Sequence, residues 1–370
     1  MITKRAALQI HIWFGITIGA FWALQGLTGA LLVFNRELQQ SLIAPGPDAP
    51  LPPLDRVFAA ASVAAGAPVH KLERFGAGQR LLLAYYDKGG SERTLVIDGP
   101  TGRRIDDRDP DALLPSGGSA WPWLLRFHEG LLGGDTGQMV VGTSGAFLLS
   151  ALLIGAWNAW PARGRWRDMF HISRWRAPLI RLTGWHRLVG MLVTAPLLLI
   201  ATCGIYLAFA PELRPVLVRT VGYQLPYKAA PVDVLPSSTI SAEQALHIAQ
   251  MRFPGSTFVR VVEPTSKSPV YLFRLLRPGD WRRWAGTSVA VIDPASGKIV
   301  ADYDSYSGQL ANRITDNLYP IHTGEIAGLL GRIPTLLAGL ALPILYTIGL
   351  MAWFKRRALR RKAQGASRAI

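Results

Sequence analysis

HIWFGITIGAFWALQGLTGALLVFNREL, residues 11–38, is matched without a gap by HRLVGMLVTAPLLLIATCGIYLAFAPEL, residues 186–213. At one constant offset the two share His11/His186, Gly15/Gly190, Gly29/Gly204, Phe34/Phe209, Glu37/Glu212 and Leu38/Leu213. Each is an apolar run long enough to cross a bilayer. A second pair obeys the same rule: His128, Gly130, Gly134, Gly145 and Gly155 recur as His322, Gly324, Gly328, Gly339 and Gly349. The pattern reads as a duplication, with one histidine at the start of each of two spans in each half.

Working outward, the chain has 370 residues, of which 49% are apolar, and a positive mean hydropathy. That balance marks a membrane protein. Apolar runs at 12–35, 138–160, 188–210 and 330–354 predict four transmembrane helices. Apart from Arg332, none holds an acidic or basic residue well inside it, which argues against an ion-coupled transporter. Lys4 with Arg5, segment 161–187 and the tail after Phe354 contribute two, six and seven of the sixteen net positive charges. Basic residues crowding short loops lie on the cytoplasmic side. Both termini and the middle loop are then inside, and the long loops are periplasmic. The charge is an orientation signal and not a nucleic-acid footprint.

Cys203, the only cysteine, stands where the first half has Thr28 and excludes an intrachain disulfide. The first span is too long for a cleaved signal peptide and reads as a retained anchor.

The expected organisation is an anchor helix over 1–37, a periplasmic module over 38–120, and an interface helix with the second span over 121–160. A basic cytoplasmic loop (161–187), the third span (188–213), a second periplasmic module (214–312), the fourth segment (313–354) and a basic tail (355–370) follow. The Pro-rich APGPDAPLPP ends the first helix as a linker. Beyond it, LDRVFAAASVAAG predicts a helix, and VHKLERF, RLLLAYY and RTLVID predict strands. The order returns as AEQALHIAQMRF, TFVRVVE, VYLFRLL and TSVAVID. Both copies carry V-I-D-x-x-x-G, at Val96–Gly102 and Val291–Gly297. Two small α+β modules, each one helix on an antiparallel sheet, are expected.

Topology puts His11 and His186 near the cytoplasmic face and His128 and His322 near the periplasmic face. Two halves of one orientation are parallel repeats about an axis along the membrane normal, so equivalent histidines face each other. Two imidazoles on opposite sides of a flat macrocycle are what a bis-histidine haem needs. His11 and Gly15 share a helix face. Gly29 returns to that face five turns later, about 27 Å along a straight helix. Gly155 and Gly349 fall near the cytoplasmic ends of their spans. Each layer then has two histidines from one helix pair and two glycines from the other, the missing side chains admitting a bulky plane. Gly190 and Gly204 belong to the same set.

The plainer alternatives are interfacial histidines and glycines that only pack helices. A zinc or copper site lacks the carboxylate or thiolate that usually completes one. His171, His70 and His247 have no repeat partners and read as solvated or packed. Trp121, Trp123, Trp281 and Trp284 read as interface anchors that could line an external pocket.

At H-x-x-x-G with TG-x-L-L-x-F from His11, F-H-E-G-L-L at His128, W-H-R-L-V-G at His186 and I-H-T-G-E-I-A-G-L-L-G-R at His322, the chain resembles the PepSY-associated transmembrane family of iron-regulated membrane proteins. PepSY-like modules around 54–109 and 241–304 extend the resemblance over nearly the whole chain. The functional type it resembles is the inner-membrane ferric-siderophore reductase of the ferrioxamine B type. That resemblance implies two b-type haems held by His11, His186, His128 and His322. It also implies reduction of a hydroxamate-type ferric siderophore on the periplasmic side. No dinucleotide fingerprint is present, so a quinol, a flavin reductase or a dehydrogenase would supply electrons. The competing readings are a membrane-anchored PepSY module that binds or regulates a periplasmic protein without redox activity, and a small-solute or metal transporter.

Overall fold

The computed structural model describes residues 3–43, 49–75, 80–108, 120–171, 177–223, 239–266, 268–282 and 285–368. Residues 44–48 of the linker, 174–176 of the basic segment and Trp284 lie outside the described residues. In chain order come α1 (Lys4–Thr17), α2 (Gly19–Leu32), α3 (Asn35–Ile43), α4 (Leu54–Ala65), β1 (Val69–Arg74), β2 (Leu81–Lys88), β3 (Ser91–Asp98) and β4 (Arg104–Arg108). Then follow α5 (Ala120–Gly130), α6 (Gly134–Ala159), α7 (Trp166–Phe170), α8 (Pro178–Ala208), α9 (Ala210–Val221) and α10 (Ala242–Arg252). The last are β5 (Thr257–Val262), β6 (Tyr271–Leu276), β7 (Ser288–Ile292), β8 (Ile299–Tyr303), α11 (Leu310–His322) and α12 (Leu329–Arg368). They form two compact units, one from residues 1–33, 126–209 and 321–370, the other from 34–125 and 210–320.

In the first unit α6, α8 and the stretch Leu329–Gln364 of α12 are long and apolar enough to cross a membrane. The pair α1 and α2 passes that test together, which makes four spans if it is one. It is not the straight helix expected, being bent by 64°. The Thr17 hydroxyl donates to the Trp13 carbonyl at 2.8 Å, a back-bond that bends helices. Gly19 follows, with Cδ2 of Tyr346 only 2.7 Å from where a Cβ would be. The 27 Å rise from His11 to Gly29 therefore does not apply.

Helix α2 packs on α12, α12 on α8, α8 on α6 and α6 on α1. At the α2–α12 crossing a Cβ on Gly26 would stand 2.6 Å from the Gly339 carbonyl oxygen, and one on Gly339 would stand 2.7 Å from that of Gly26. Backbone touches backbone there, as small residues allow in lipid-embedded bundles. Leu24, Leu31, Leu153, Leu192, Leu199 and Leu337 are exposed on the outside, which suits an apolar solvent.

The second unit departs from two separate sheets. Its strands form one eight-stranded antiparallel sheet in the order β4-β3-β2-β1-β5-β6-β7-β8. The first strand of each expected module would be an edge with unpaired amides and carbonyls. Here β1 and β5 cover each other, Leu72 opposite Val261 and Glu73 opposite Arg260. The Arg260 guanidinium adds a charge-assisted bond to Glu73 at 2.7 Å.

Helices α4 and α10 share one core on this sheet, in which Val57, Phe58, Leu246 and Phe253 meet Leu72, Leu82, Val261 and Phe273. Each helix caps the other. The amides of Ala242 and Glu243 donate to the Asp55 carboxylate at 2.8 and 3.2 Å, and the Leu54 amide donates to Glu243 at 2.8 Å. Both V-I-D-x-x-x-G copies are turns closed on the Asp carbonyl, by the amides of Gly102 at 2.7 Å and Gly297 at 2.9 Å.

Candidate functional site

Each of the four repeat-matched histidines lies against a glycine of a neighbouring helix. A Cβ built on Gly155 of α6 would be 2.8 Å from Cε1 of His11 on α1. On Gly349 of α12 it would be 3.2 Å from Cε1 of His186 on α8. On Gly29 of α2 it would be 2.9 Å from Cε1 of His128, and on Gly204 of α8 it would be 3.0 Å from Cε1 of His322. A methyl group at any of these positions would move the ring.

A main-chain carbonyl fixes the other edge of three of the rings. Nδ1–H of His11 donates to Ala151 at 3.0 Å, that of His186 to Leu345 at 3.0 Å and that of His322 to Ile200 at 2.9 Å. Each acceptor lies one helical turn before the glycine that the same ring touches. A carbonyl oxygen only accepts, so Nδ1 carries a proton, and in the neutral ring Nε2 keeps its lone pair. At His128 the acceptor is Thr28 Oγ1 at 3.0 Å. The Thr28 hydroxyl itself donates to Gln25, again one turn before the glycine. In the repeat Thr28 is replaced by buried Cys203.

The rings also meet in pairs. His11 and His186 have centroids 6.1 Å apart with planes at 74°, and His128 and His322 have centroids 6.4 Å apart with planes at 47°. Two imidazoles that ligate one metal from opposite sides, each nitrogen about 2 Å from it, have ring centres roughly 6 Å apart. The donor set is two neutral imidazoles, with no group of three histidine, cysteine or acidic side chains among the described residues. Two axial ligands suit a metal whose other positions are filled by a flat macrocycle, and the glycines seat the imidazole rings that would supply them.

A cavity of about 340 Å³ surrounds the His11/His186 pair, with walls that include Ile12, Gly15, Leu148, Leu345 and Tyr346. A Cβ on Gly15 would meet nothing within 4 Å, and one on Gly190 only Leu345 Cδ2 at 3.9 Å. Neither glycine therefore opposes a histidine ring.

After His128 and His322 the chain turns back on itself. A Cβ on Gly137 would be 1.7 Å from the Gly130 carbonyl oxygen, and one on Gly331 would be 2.2 Å from that of Gly324. Leu131 and Leu132 in the first turn hold φ of 53° and 61°, strain that persists only where packing imposes it. Gly137 and Gly331 were not singled out from the sequence, although they keep the same offset as His128 and His322.

The remaining histidines stand apart. His70 meets Glu92 at 3.2 Å, His171 bonds the Arg167 carbonyl at 2.7 Å, and His247 is exposed on α10. Trp281 is exposed.

The four histidines and their glycines all fall within residues 8–356, which match the family model described as the PepSY-associated TM region. The chain belongs to the PepSY-associated TM family. No curated protein matches it. The family span runs from α1 into α12, so it includes both imidazole pairs and the sheet that this member builds from its two PepSY-like segments.

Proposed function

We propose that this PepSY-associated membrane protein is a di-haem reductase of the bacterial inner membrane that delivers electrons to a ferric siderophore in the periplasm. The observation that carries the proposal is the pair of imidazole pairs at 6.1 and 6.4 Å. In each, the Nδ1 edges are tied down and a glycine lies against each ring. Haem ligated by two histidines supplies one-electron transfer with no open position for oxygen.

The chain's own residues have three tasks in this reading. Nε2 of His11 and His186 would hold one haem, and Nε2 of His128 and His322 the other. Carbonyl acceptors at three rings, and Thr28 at His128, hold the imidazoles in a fixed orientation, the role of an outer ligand shell. The apolar walls exclude water. The positive-inside distribution orients His11/His186 toward the cytoplasm and His128/His322 toward the periplasm, with the halves as parallel repeats. The substrate is ferric iron in a hydroxamate-type chelate, whose hard oxygen donors hold ferrous iron far less well. Electrons come from outside the chain, from a quinol, a flavin reductase or a dehydrogenase.

The test is the absorbance spectrum of the purified protein before and after dithionite. A Soret band that shifts on reduction, with two haems per chain and one lost in His11→Ala or His128→Ala, is the expected result. Colourless protein would overturn the proposal and favour a tethered PepSY module that binds a periplasmic partner.

A further inference from the structure

The cavity around His11 and His186 is apolar along most of its length and cationic at one end. Its walls follow helix stripes: Leu148, Ala151, Gly155 and Asn158 on α6, and Leu345, Gly349, Trp353 and Arg356 on α12. Steps of three and four residues keep each set on one face. Both stripes are apolar until Asn158, in the last turn of α6, and Arg356, in the basic stretch of α12. Helix α8 adds Thr183 and Arg187 from its first turns. The Arg187 Nε–H donates to the Ala159 carbonyl at 2.8 Å, which anchors the guanidinium at the end of α6. Two arginines thus stand at one mouth of the cavity, and none of its lining residues is acidic.

We infer that Arg187 and Arg356, with Asn158 and Thr183 beside them, form a carboxylate-binding edge. It takes the acidic margin of the planar ligand that His11 and His186 grip. The inference rests on the proposed haem site and adds the ligand's orientation: apolar edge toward Trp22 and Leu342, carboxylate edge toward the two arginines. Guanidinium groups suit this task because their fork of N–H donors matches a carboxylate. Arg187 also follows His186 directly in the chain, so one turn of helix presents both the ligand to the iron and the partner for the acid.

The experiment titrates full-length protein, produced under haem limitation, with haemin and with haemin dimethyl ester. The signal is the part of the Soret change that His186→Ala removes. Wild-type protein is expected to bind haemin at least about tenfold more tightly than the ester, the usual reach of charge-assisted hydrogen bonds. Arg187→Gln/Arg356→Gln should bind the two equally, and Arg187→Lys/Arg356→Lys should recover part of the preference. Equal weakening toward both ligands in the Gln variant would make the arginines structural caps and overturn the inference, as would a wild-type protein indifferent to esterification. Binding of neither ligand would overturn the haem site together with its carboxylate edge.

Discussion

A single hydrogen decides whether each histidine ring keeps its place. At Gly155 and Gly29 the nearest ring atom is 2.8 and 2.9 Å from where a methyl carbon would go, closer than side-chain packing tolerates, and at Gly204 and Gly349 it is 3.0 and 3.2 Å, tight enough to push the ring by a few tenths of an ångström. On the proposed di-haem reading, replacing Gly155 or Gly29 with Ala is expected to reduce haem from two per chain toward one, measured as the pyridine haemochrome. Gly190→Ala, whose added methyl would meet only Leu345 at 3.9 Å, is expected to keep both. Full haem content in all four ring-facing variants would refute the assignment. Another residue-scale effect concerns acidity. Burial, assisted by the nearby Asp55 carboxylate, raises the Glu263 carboxyl from its ordinary 4.5 to about 7. Between those values the folded protein holds a proton that the unfolded chain has released, so stability falls as pH rises through this window. Glu263→Gln should flatten that fall in thermal melts recorded from pH 4.5 to 7.5.

At the scale of elements, helix ends govern the sheet unit and turns govern the histidines. Asp55 accepts two amides at the start of α10 while Glu243 accepts one at the start of α4. Removing a carboxylate cap costs about 1 kcal/mol. Asp55→Ala should therefore speed amide exchange in the first turn of α10 and, through the shared core, in α4. Exchange confined to α4 would contradict mutual capping. The turns that follow His128 and His322 depend on Gly137 and Gly331, where a Cβ would overlap a carbonyl oxygen. Gly137→Ala is expected to displace α5 from α6 and, on the proposed di-haem reading, to abolish the His128/His322 haem spectrum while sparing that of His11/His186. The elements themselves were largely legible, because period-2 and period-3.6 patterns reflect burial of one face. The break at Ile18 was not, because it depends on a threonine back-bond and on Tyr346 arriving from a distant helix.

Across the whole molecule, the two PepSY-like segments behave as one fold. The β1–β5 seam makes eight strands continuous, and α4 and α10 share a core. Hydrogen exchange should therefore open β2 and β6 with the same free energy, and Arg260→Glu, which sets like charges opposite each other at the seam, should lower both equally. Separate opening would mean two modules that merely touch. The amino-acid sequence alone determined that the chain is a multi-pass membrane protein, that four histidines recur with their glycines, and where the turns Asp98–Gly102 and Asp293–Gly297 lie. Such features are local or periodic, so they leave a trace in residue order. Only the tertiary structure decided that each ring rests on the neighbouring span's glycine, that carbonyls one turn earlier hold Nδ1 of three of them, and that two expected sheets join into one. Main-chain acceptors and strand edges are the same in every residue, and which of them pair depends on which distant segments the packing brings within 3 Å.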